Sequence, residues 1–429
     1  MKVIILGGGL SGLAAGYTLA KKGLEVKILE KENFLGGLAS SFKVEWDGKE
    51  YWVPKTYHHI LAKDKTTVEF IEKLGLKEKL KRKKVKTGFI YQNKVFGFSS
   101  PTEILKFPLS LKDKIKLALF VLKVSRKKDW KDIEKFNAKD WIIKEAGKRN
   151  YETIFEQLIR NKFNEPPEKI SAAWFGTRFA VEPSSFLKKF GWLKGGLQQF
   201  IDSFAKEIEK NGEIKTNIEV EKIKLKENRI VYRKGKKKIE ENYDALISTI
   251  PPENFLKIAK NPSKIIKEEF GRIKYLSCVC AAFGLSKSPT EYYWLNALDK
   301  NKSFVAFFNY TQLFEDLAPN GKSIIFLVNY LRKNDKLWKM NEREIFSIYL
   351  KNLKEVFPGI EKEIEWWRVN KFEHAEAIFS LDFKNPPVSE GNVYFAGIYR
   401  IFPKIRNMAS ALESGIEASQ ALLGEKVEI

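Results

Sequence analysis

The chain has 429 residues, of which 44% are hydrophobic and 31% charged, a composition that suits two or three folded domains and excludes general disorder. Its 77 Lys and Arg outnumber its 54 Asp and Glu, giving a formal net charge of +23. Because the basic residues are spread along the chain and no nucleic-acid-binding motif accompanies them, we expect no nucleic-acid partner.

Cysteine and histidine are scarce, with 2 Cys and 3 His in the whole chain. This leaves almost no material for an all-protein zinc site or a disulfide framework, and we expect no bound metal. The cysteine usage suits a reducing, cytoplasmic compartment. Few Met and Cys beside abundant Lys and Glu are typical of thermophile proteins.

The N-terminus carries a glycine-rich turn between a strand and a helix. Residues 3–6 (Val-Ile-Ile-Leu) predict a buried parallel strand, and residues 13–20 have helical spacing. The GxGxxG spacing between them is typical of dinucleotide binding, because glycines permit a tight turn and the helix N-terminus offers free N–H groups to phosphates. The predicted contacts are Gly7, Gly9, Leu10, Ser11 and Gly12.

A second strand is predicted over residues 25–29, and it ends in the acid Glu30. A carboxylate at this place accepts hydrogen bonds from the adenosine ribose hydroxyls. It also disfavours a 2′-phosphate, and therefore disfavours NADP at this site.

A second glycine pair follows at once, in residues 31–41 (Lys-Glu-Asn-Phe-Leu-Gly-Gly-Leu-Ala-Ser-Ser). In this position the pair resembles a signature of the flavin amine oxidase superfamily, which includes protoporphyrinogen oxidases, phytoene desaturases and monoamine oxidases. The resemblance implies FAD rather than NAD. It implies cofactor contacts at Lys31, Gly36, Gly37, Leu38 and Ala39, with Leu38 in place of the more common Arg.

The C-terminal region resembles the closing element of the same superfamily. Residues 392–397 predict a final buried strand, and Asn407 is placed to cap a helix that follows. The resemblance implies contacts at Gly397, Asn407, Met408 and Ala409, with the helix N-terminus pointing at the flavin O2/N1 edge. The alternative is a helix that only closes the sheet.

The middle of the chain carries weaker signals that agree. A helix is predicted over 197–210, followed by strands around 220–225 and 230–233 and a further strand ending near Thr249. The resemblance implies that Val220 contacts the adenine and that Thr249 lies at the cofactor.

The predicted fold is α/β, with a discontinuous Rossmann-type FAD domain and a second α+β domain that contains a mixed or antiparallel sheet. We expect residues 1–62, 190–255 and 375–429 to form the FAD domain. Residues 63–189 and 256–374 are expected to form the substrate domain.

Within the substrate domain, residues 112–128 predict a basic amphipathic helix with apolar positions at 111, 115, 118, 119 and 122. Packing on the domain is one interpretation. Peripheral contact of residues 110–128 with a membrane, as in some protoporphyrinogen oxidases, is the other. The sequence leaves the oligomeric state open.

Aromatic and apolar strands predicted between residues 276 and 330 could wall an apolar substrate against the flavin. The segments containing His58, His59 and Tyr293 resemble a prokaryotic, protoporphyrinogen-oxidase-like subgroup. The candidate catalytic residues are therefore His58, His59 and Tyr293, together with Lys162, which could face the flavin or lie in solvent.

The resulting hypothesis is an FAD-dependent oxidoreductase in which an apolar, polycyclic or amine substrate gives hydride to flavin N5. Two alternatives stay open. One is redox-neutral chemistry on a nucleotide sugar, as in the UDP-galactopyranose mutases, which the basic charge would suit. The other is a flavin- or lipid-binding protein without turnover.

Overall fold

A computed structural model describes residues 1–61, 64–181, 189–381 and 383–427. The strands in these ranges are β1 (Lys2–Leu6), β2 (Glu25–Leu29), β3 (Ser41–Trp46), β4 (Lys49–Pro54), β5 (Leu80–Lys83), β6 (Lys86–Tyr91), β7 (Lys94–Gly97), β8 (Phe190–Leu193), β9 (Gly212–Lys215), β10 (Ile218–Lys224), β11 (Arg229–Lys234), β12 (Lys237–Asn242), β13 (Ala245–Ser248), β14 (Ala259–Lys260), β15 (Lys274–Leu285), β16 (Tyr292–Ala297), β17 (Ala306–Asn309), β18 (Ser323–Leu331), β19 (Ile364–Ile378), β20 (Ser389–Glu390) and β21 (Val393–Phe395). The helices are α1 (Leu10–Lys21), α2 (Lys65–Lys73), α3 (Pro101–Lys106), α4 (Leu111–Arg126), α5 (Ala138–Ala146), α6 (Lys148–Asn150), α7 (Glu156–Phe163), α8 (Ala172–Val181), α9 (Gln198–Ile208), α10 (Pro252–Ile258), α11 (Lys264–Gly271), α12 (Lys336–Lys339), α13 (Glu342–Val356) and α14 (Met408–Leu423).

The N- and C-terminal parts of the chain meet in one six-stranded sheet, with the order β20-β21-β13-β1-β2-β9. Its strands pair in parallel except for the edge pair β20 and β21. The central strands β1 and β13 are apolar and almost wholly buried, as expected of a sheet covered on both faces. The predicted Rossmann-type sheet is confirmed.

Helices α1 and α14 cross at close range beside this sheet. Gly415 of α14 lies against the backbone of Ser11, where a Cβ would overlap the Ser11 carbonyl oxygen. The first and last helices of the fold are therefore held together by backbone proximity, which a larger side chain at Gly415 would prevent.

A seven-stranded sheet, β19-β15-β18-β17-β16-β6-β7, forms the centre of the rest of the molecule. Its pairs are antiparallel except for the parallel pair β16 and β6, so the predicted mixed sheet is confirmed. Strands β10, β11, β12 and β14 form a separate four-stranded sheet.

The element predictions hold with small shifts of boundary. The helix predicted over 197–210 runs from Gln198 to Ile208, and the helix predicted over 112–128 runs from Leu111 to Arg126. All strands of the six-stranded sheet fall within the three stretches predicted to form the FAD domain. The domain boundaries themselves stay a prediction.

Helix α4 has apolar side chains on two faces. Leu117, Phe120 and Val124 are buried in the hydrophobic core, whereas the predicted apolar positions 111, 115, 118, 119 and 122 are all exposed. No helix in the described part of the chain combines the length and apolarity needed to cross a bilayer.

Candidate active site

The turn after β1 has the geometry that phosphate binding requires. Gly7 has a φ of +99°, and a Cβ on Gly12 would overlap the Gly7 carbonyl oxygen. A Cβ on Gly9, by contrast, would have no atom within 4 Å, so this backbone faces open space. The hydroxyl of Thr249 donates to the carbonyl oxygens of Leu6 and Gly7, at 2.7 and 3.2 Å, and fixes the turn.

Glu30, at the end of β2, holds its carboxylate beside this turn. Its two oxygens accept hydrogen bonds from the backbone N–H groups of Gly8 and Glu32, at 2.6 and 2.8 Å. Burial raises the pKa of the Glu30 carboxyl, and these backbone donors act in the opposite direction. The carboxylate is thus oriented at the place where a ribose hydroxyl would donate to it.

The second glycine pair lies directly against the first glycine turn. Gly36 and Gly37 have φ values of +99° and +55°, which few other residues adopt. The Gly36 N–H donates to the Gly8 carbonyl oxygen at 2.8 Å. The two motifs, distant in sequence by a whole strand and helix, therefore form one continuous glycine wall.

Helix α14 begins at the same cavity with a complete cap. The side-chain oxygen of Asn407 accepts the Ser410 N–H at 2.8 Å, and the Ser410 hydroxyl accepts the Asn407 N–H. The Asn407 amide donates to the buried carboxylate of Asp64 at 2.8 Å, and Asp64 also accepts the Leu61 N–H at 2.9 Å. The predicted N-cap is present, and Asp64 is a partner that the sequence did not indicate.

A cavity of about 550 Å³ joins these elements. Most of the predicted cofactor residues line it: Gly7, Gly9, Leu10, Ser11, Glu30, Lys31, Gly36, Gly37, Leu38, Ala39, Thr249, Gly397, Asn407 and Met408. Ile398, which follows the final glycine, lines the cavity as well.

Three predicted cofactor residues do not line the cavity. Gly12 is packed against the backbone of Gly7, Val220 packs against the hydrophobic core from β10, and Ala409 is buried within α14. In α14 the helical turn brings Ala411 to the cavity wall in place of Ala409. Gly12 instead lets α1 pack closely against the turn after β1.

Both candidate histidines line the cavity, whereas Tyr293 does not. Tyr293 is fully buried behind His59, and its hydroxyl lies 2.9 Å from His59 Nδ1. The neighbouring Trp294 reaches the cavity instead, at a place where the register of β16 is irregular between Tyr292 and Trp294. Burial, with Arg406 nearby, lowers the pKa of His58 to about 4, which keeps its ring neutral near pH 7.

Lys162 belongs to a buried charge cluster, so the interpretation as a solvated lysine is wrong. Its Nζ lies 2.7 Å from Glu376 Oε2, and Arg406 Nε donates to the same oxygen at 2.9 Å. Arg406 Nη2 also donates to the Tyr330 hydroxyl at 2.8 Å. Lys162 and Arg406 line the cavity.

Sequence reasoning missed Arg406 and Glu376. The position of Arg406 immediately before the predicted cap Asn407 was a usable signal, because any residue there must lie beside the helix N-terminus. Glu376 gives no such signal: it reaches the cluster from β19 and is identifiable only in the folded chain.

An aromatic wall completes the cavity on the side of the large sheet. Tyr57, Trp294, Tyr275 and Phe372 line it. Phe308 supports the wall from behind, stacked on Tyr57 with ring centroids 3.9 Å apart. The Tyr57 hydroxyl lies 2.8 Å from that of Tyr330, which connects this wall to the charge cluster.

This combination of glycine wall, ribose-side acid and capped helix end defines an FAD-dependent oxidoreductase of the Rossmann type, and the residues present fit FAD. The open space at Gly9, and the fact that Leu10 and Ser11 at the start of α1 line the cavity, are the observations that carry this fit. The family model described as flavin containing amine oxidoreductase matches residues 10–423, and the chain belongs to that family.

Individual relatives agree over the full length. A zeta-carotene desaturase from Synechocystis sp. is 24% identical, with 100% of this chain and 98% of that protein covered. A crystal structure assigned as a protoporphyrinogen oxidase from Exiguobacterium sp. 255-15 has a TM-score of 0.76 at 16% identity, covering 99% of both chains. A structure of reduced UDP-galactopyranose mutase has a TM-score of 0.77 at 15% identity, covering 99% of this chain and 94% of the other. These structures share the fold.

Proposed function

We propose that this enzyme oxidises a C–H bond of an apolar, unsaturated or polycyclic organic substrate. The observation that carries the proposal is the aromatic wall at Tyr57, Trp294 and Phe372, which lies in the same cavity as the glycine wall and the N-terminus of α14. FAD, when bound, supplies the hydride acceptor at N5.

In this scheme the residues of the chain bind the cofactor and orient the substrate. The glycine wall and Glu30 hold the nucleotide end of FAD. The Asn407-capped end of α14 places a positive helix end at the cavity, where it would stabilise negative charge on a reduced flavin. The aromatic wall positions the substrate and excludes water.

No side chain is required to move a proton during hydride transfer itself. His58 is neutral near pH 7 and lies at the wall, so its role is to shape the cavity and offer a hydrogen bond. The Glu376 carboxylate holds both Lys162 and Arg406 at the cavity edge.

The same two cations bear on the choice among substrates. Glu376 neutralises one of these two charges, and the positive charge that remains on the cluster would repel a protonated amine in a partly desolvated site. An uncharged polyene incurs no such cost, nor does a porphyrinogen, whose charged groups are carboxylates. The charge cluster therefore favours apolar and polycyclic donors over amines.

Anaerobic reduction of the purified, FAD-loaded enzyme tests the proposal. A porphyrinogen, an isoprenoid polyene, a primary amine and an L-amino acid would each be mixed with it, and the loss of the visible band of oxidised flavin would be followed. We expect loss with the porphyrinogen or the polyene. Reduction by the amine or amino acid alone would contradict the substrate class, and reduction by none of the four would contradict the proposal.

The redox-neutral alternative makes a different prediction in the same apparatus. A mutase would convert UDP-galactopyranose only after prior reduction with dithionite, with no net loss of electrons. Its support is the likeness of fold to the UDP-galactopyranose mutase structure. Such turnover, without reduction by any donor in the panel, would replace our proposal.

A further inference from the structure

Helix α4 and the short helix α3 carry an apolar surface that faces solvent. In the described part of the chain eight large hydrophobic side chains are exposed, and five of them belong to these two helices. They are Leu105, Leu111, Ile115, Leu119 and Leu122, with exposed fractions between 46% and 64%. We call these five residues and the basic residues beside them the α3–α4 surface.

The four members on α4 form one stripe. At about 100° per residue, positions 111, 115, 119 and 122 fall within roughly a quarter of the helix circumference. The side chains that anchor α4 in the domain, Leu117, Phe120 and Val124, lie on the opposite side. The exposed stripe is therefore additional to the face that folding already uses.

Basic residues flank the stripe. Between positions 105 and 128 there are eight Lys and Arg but a single acid, Asp113. In the described part of the chain, five of these basic residues are exposed and form no ion pair: Lys106, Lys112, Lys116, Arg126 and Lys128. Lys112 and Lys116 each follow a stripe residue by one position, which at about 100° per residue places both lysines on the same side of the stripe, within reach of its edge.

We propose that the α3–α4 surface docks on an anionic lipid bilayer, with the stripe at the level of the headgroups and the flanking cations on lipid phosphates. Charge complementarity selects this occupant. A second copy of the chain would bring another basic surface and another net charge of +23 against the first, and a stripe one helix wide is narrow for a stable dimer. The docking is independent of the reaction catalysed.

Vesicle sedimentation with the full-length, FAD-loaded protein tests this. Vesicles of mixed phosphatidylglycerol and phosphatidylcholine should bind the protein at low salt, and pure phosphatidylcholine vesicles should bind far less. The variant L111S/I115S/L119S should bind the anionic vesicles more weakly than the wild type by about tenfold or more, because apolar insertion is lost. The variant K112Q/K116Q/K128Q should bind the anionic vesicles on the order of a hundredfold more weakly, because each removed charge lowers the affinity by roughly tenfold or less.

Matched controls separate this surface from the general basic charge. Ile265→Ser removes an equally exposed apolar side chain elsewhere, and K236Q/K300Q/K339Q removes three exposed charges far from α4 in sequence. Both controls should bind as the wild type does. All replaced side chains are exposed, so every variant should fold, which circular dichroism and flavin absorption would verify.

Three results would overturn the proposal. One is that the protein binds both vesicle types equally well, or binds neither. Another is a loss in the charge control as large as in K112Q/K116Q/K128Q, which would mean non-specific attraction. The third is a concentration-dependent dimer in analytical ultracentrifugation that L111S/I115S/L119S abolishes, which would assign the surface to a second copy.

Discussion

Glu30 shows how much a single side chain contributes to a nucleotide site. Its carboxylate already holds two backbone N–H groups, those of Gly8 and Glu32. It therefore fixes the shape of the glycine turn as well as facing the cavity. Both functions require an acceptor on each oxygen, which an amide cannot supply.

We expect Glu30→Gln to weaken FAD binding by about tenfold to a hundredfold, the cost of losing a hydrogen bond to a charged group. Fluorescence titration of the apoprotein with FAD measures this. Glu25→Gln, at the exposed start of the same strand, is the matched control and should leave the dissociation constant unchanged. Equal affinities for wild type and Glu30→Gln would show that the acid does not contact the cofactor.

Asp64 gives a pH dependence with a definite sign. Burial, with Glu413 nearby, raises the pKa of this carboxyl to about 7 from its ordinary 3.8. In the window between these values the folded protein holds a proton that the unfolded chain has released, and the free energy of unfolding contributed by Asp64 falls as pH rises. The effect ends once pH exceeds the folded pKa.

We expect Asp64→Asn to remove this fall in the free energy of unfolding with rising pH. The advantage of wild type over variant in the free energy of unfolding should shrink by roughly 2–3 kcal/mol between about pH 5 and about pH 8, measured by urea titration. The difference between wild type and variant cancels the contributions of other titrating groups, such as His58, whose pKa is lowered to about 4. A difference that does not change with pH would mean that Asp64 titrates normally.

At the scale of elements, the contact between α1 and α14 depends on the absence of a side chain at Gly415. Such a close crossing positions the N-terminus of α14 relative to the glycine turn before α1. The two ends of the cofactor site are thus linked through the backbone of Ser11.

Gly415→Ala should destabilise the protein by roughly 1–3 kcal/mol, because the added methyl group overlaps a carbonyl oxygen and α14 must shift. Gly271→Ala, at an exposed helical glycine with open space around it, should be neutral or stabilising by up to about 1 kcal/mol. Chemical unfolding of both variants measures the contrast. A stable Gly415→Ala protein with unchanged FAD affinity would refute the close contact.

The elements also show where prediction from sequence succeeds. Gly7, Gly36 and the cap at Asn407 could be predicted because each belongs to a local pattern whose residues contact one another. Glu376 could not, because it meets Lys162 and Arg406 only through tertiary contact. For α4 the sequence showed an apolar stripe, but it also carried a second one at Leu117 and Phe120, and periodicity alone does not decide which face folding buries.

At the scale of the whole molecule, one cavity gathers residues from the start, middle and end of the chain. A ligand that binds there contacts the turn after β1, Glu30 after β2 and the start of α14 together. Its binding energy therefore adds to the stability of the entire six-stranded sheet rather than to one loop.

We expect FAD at about a hundred times its dissociation constant to raise the free energy of unfolding by about 2.7 kcal/mol. Urea unfolding of the apoprotein with and without FAD, followed by tryptophan fluorescence, measures the shift. Riboflavin, which lacks the phosphates and adenosine, should give a much smaller effect at the same concentration. Equal stabilisation by both would contradict binding at the glycine wall.

The pairing order of the six-stranded sheet also has a consequence for biosynthesis. Strand β1 is translated well before its neighbour β13, which begins at Ala245, and before β21, which begins at Val393. The uncharged segment over residues 3–20 therefore has an unpaired strand edge, that of β1, until β13 has been translated. The flavin site is then complete only once α14 has been translated, and a nascent chain arrested before Val393 should engage chaperones through residues 3–20.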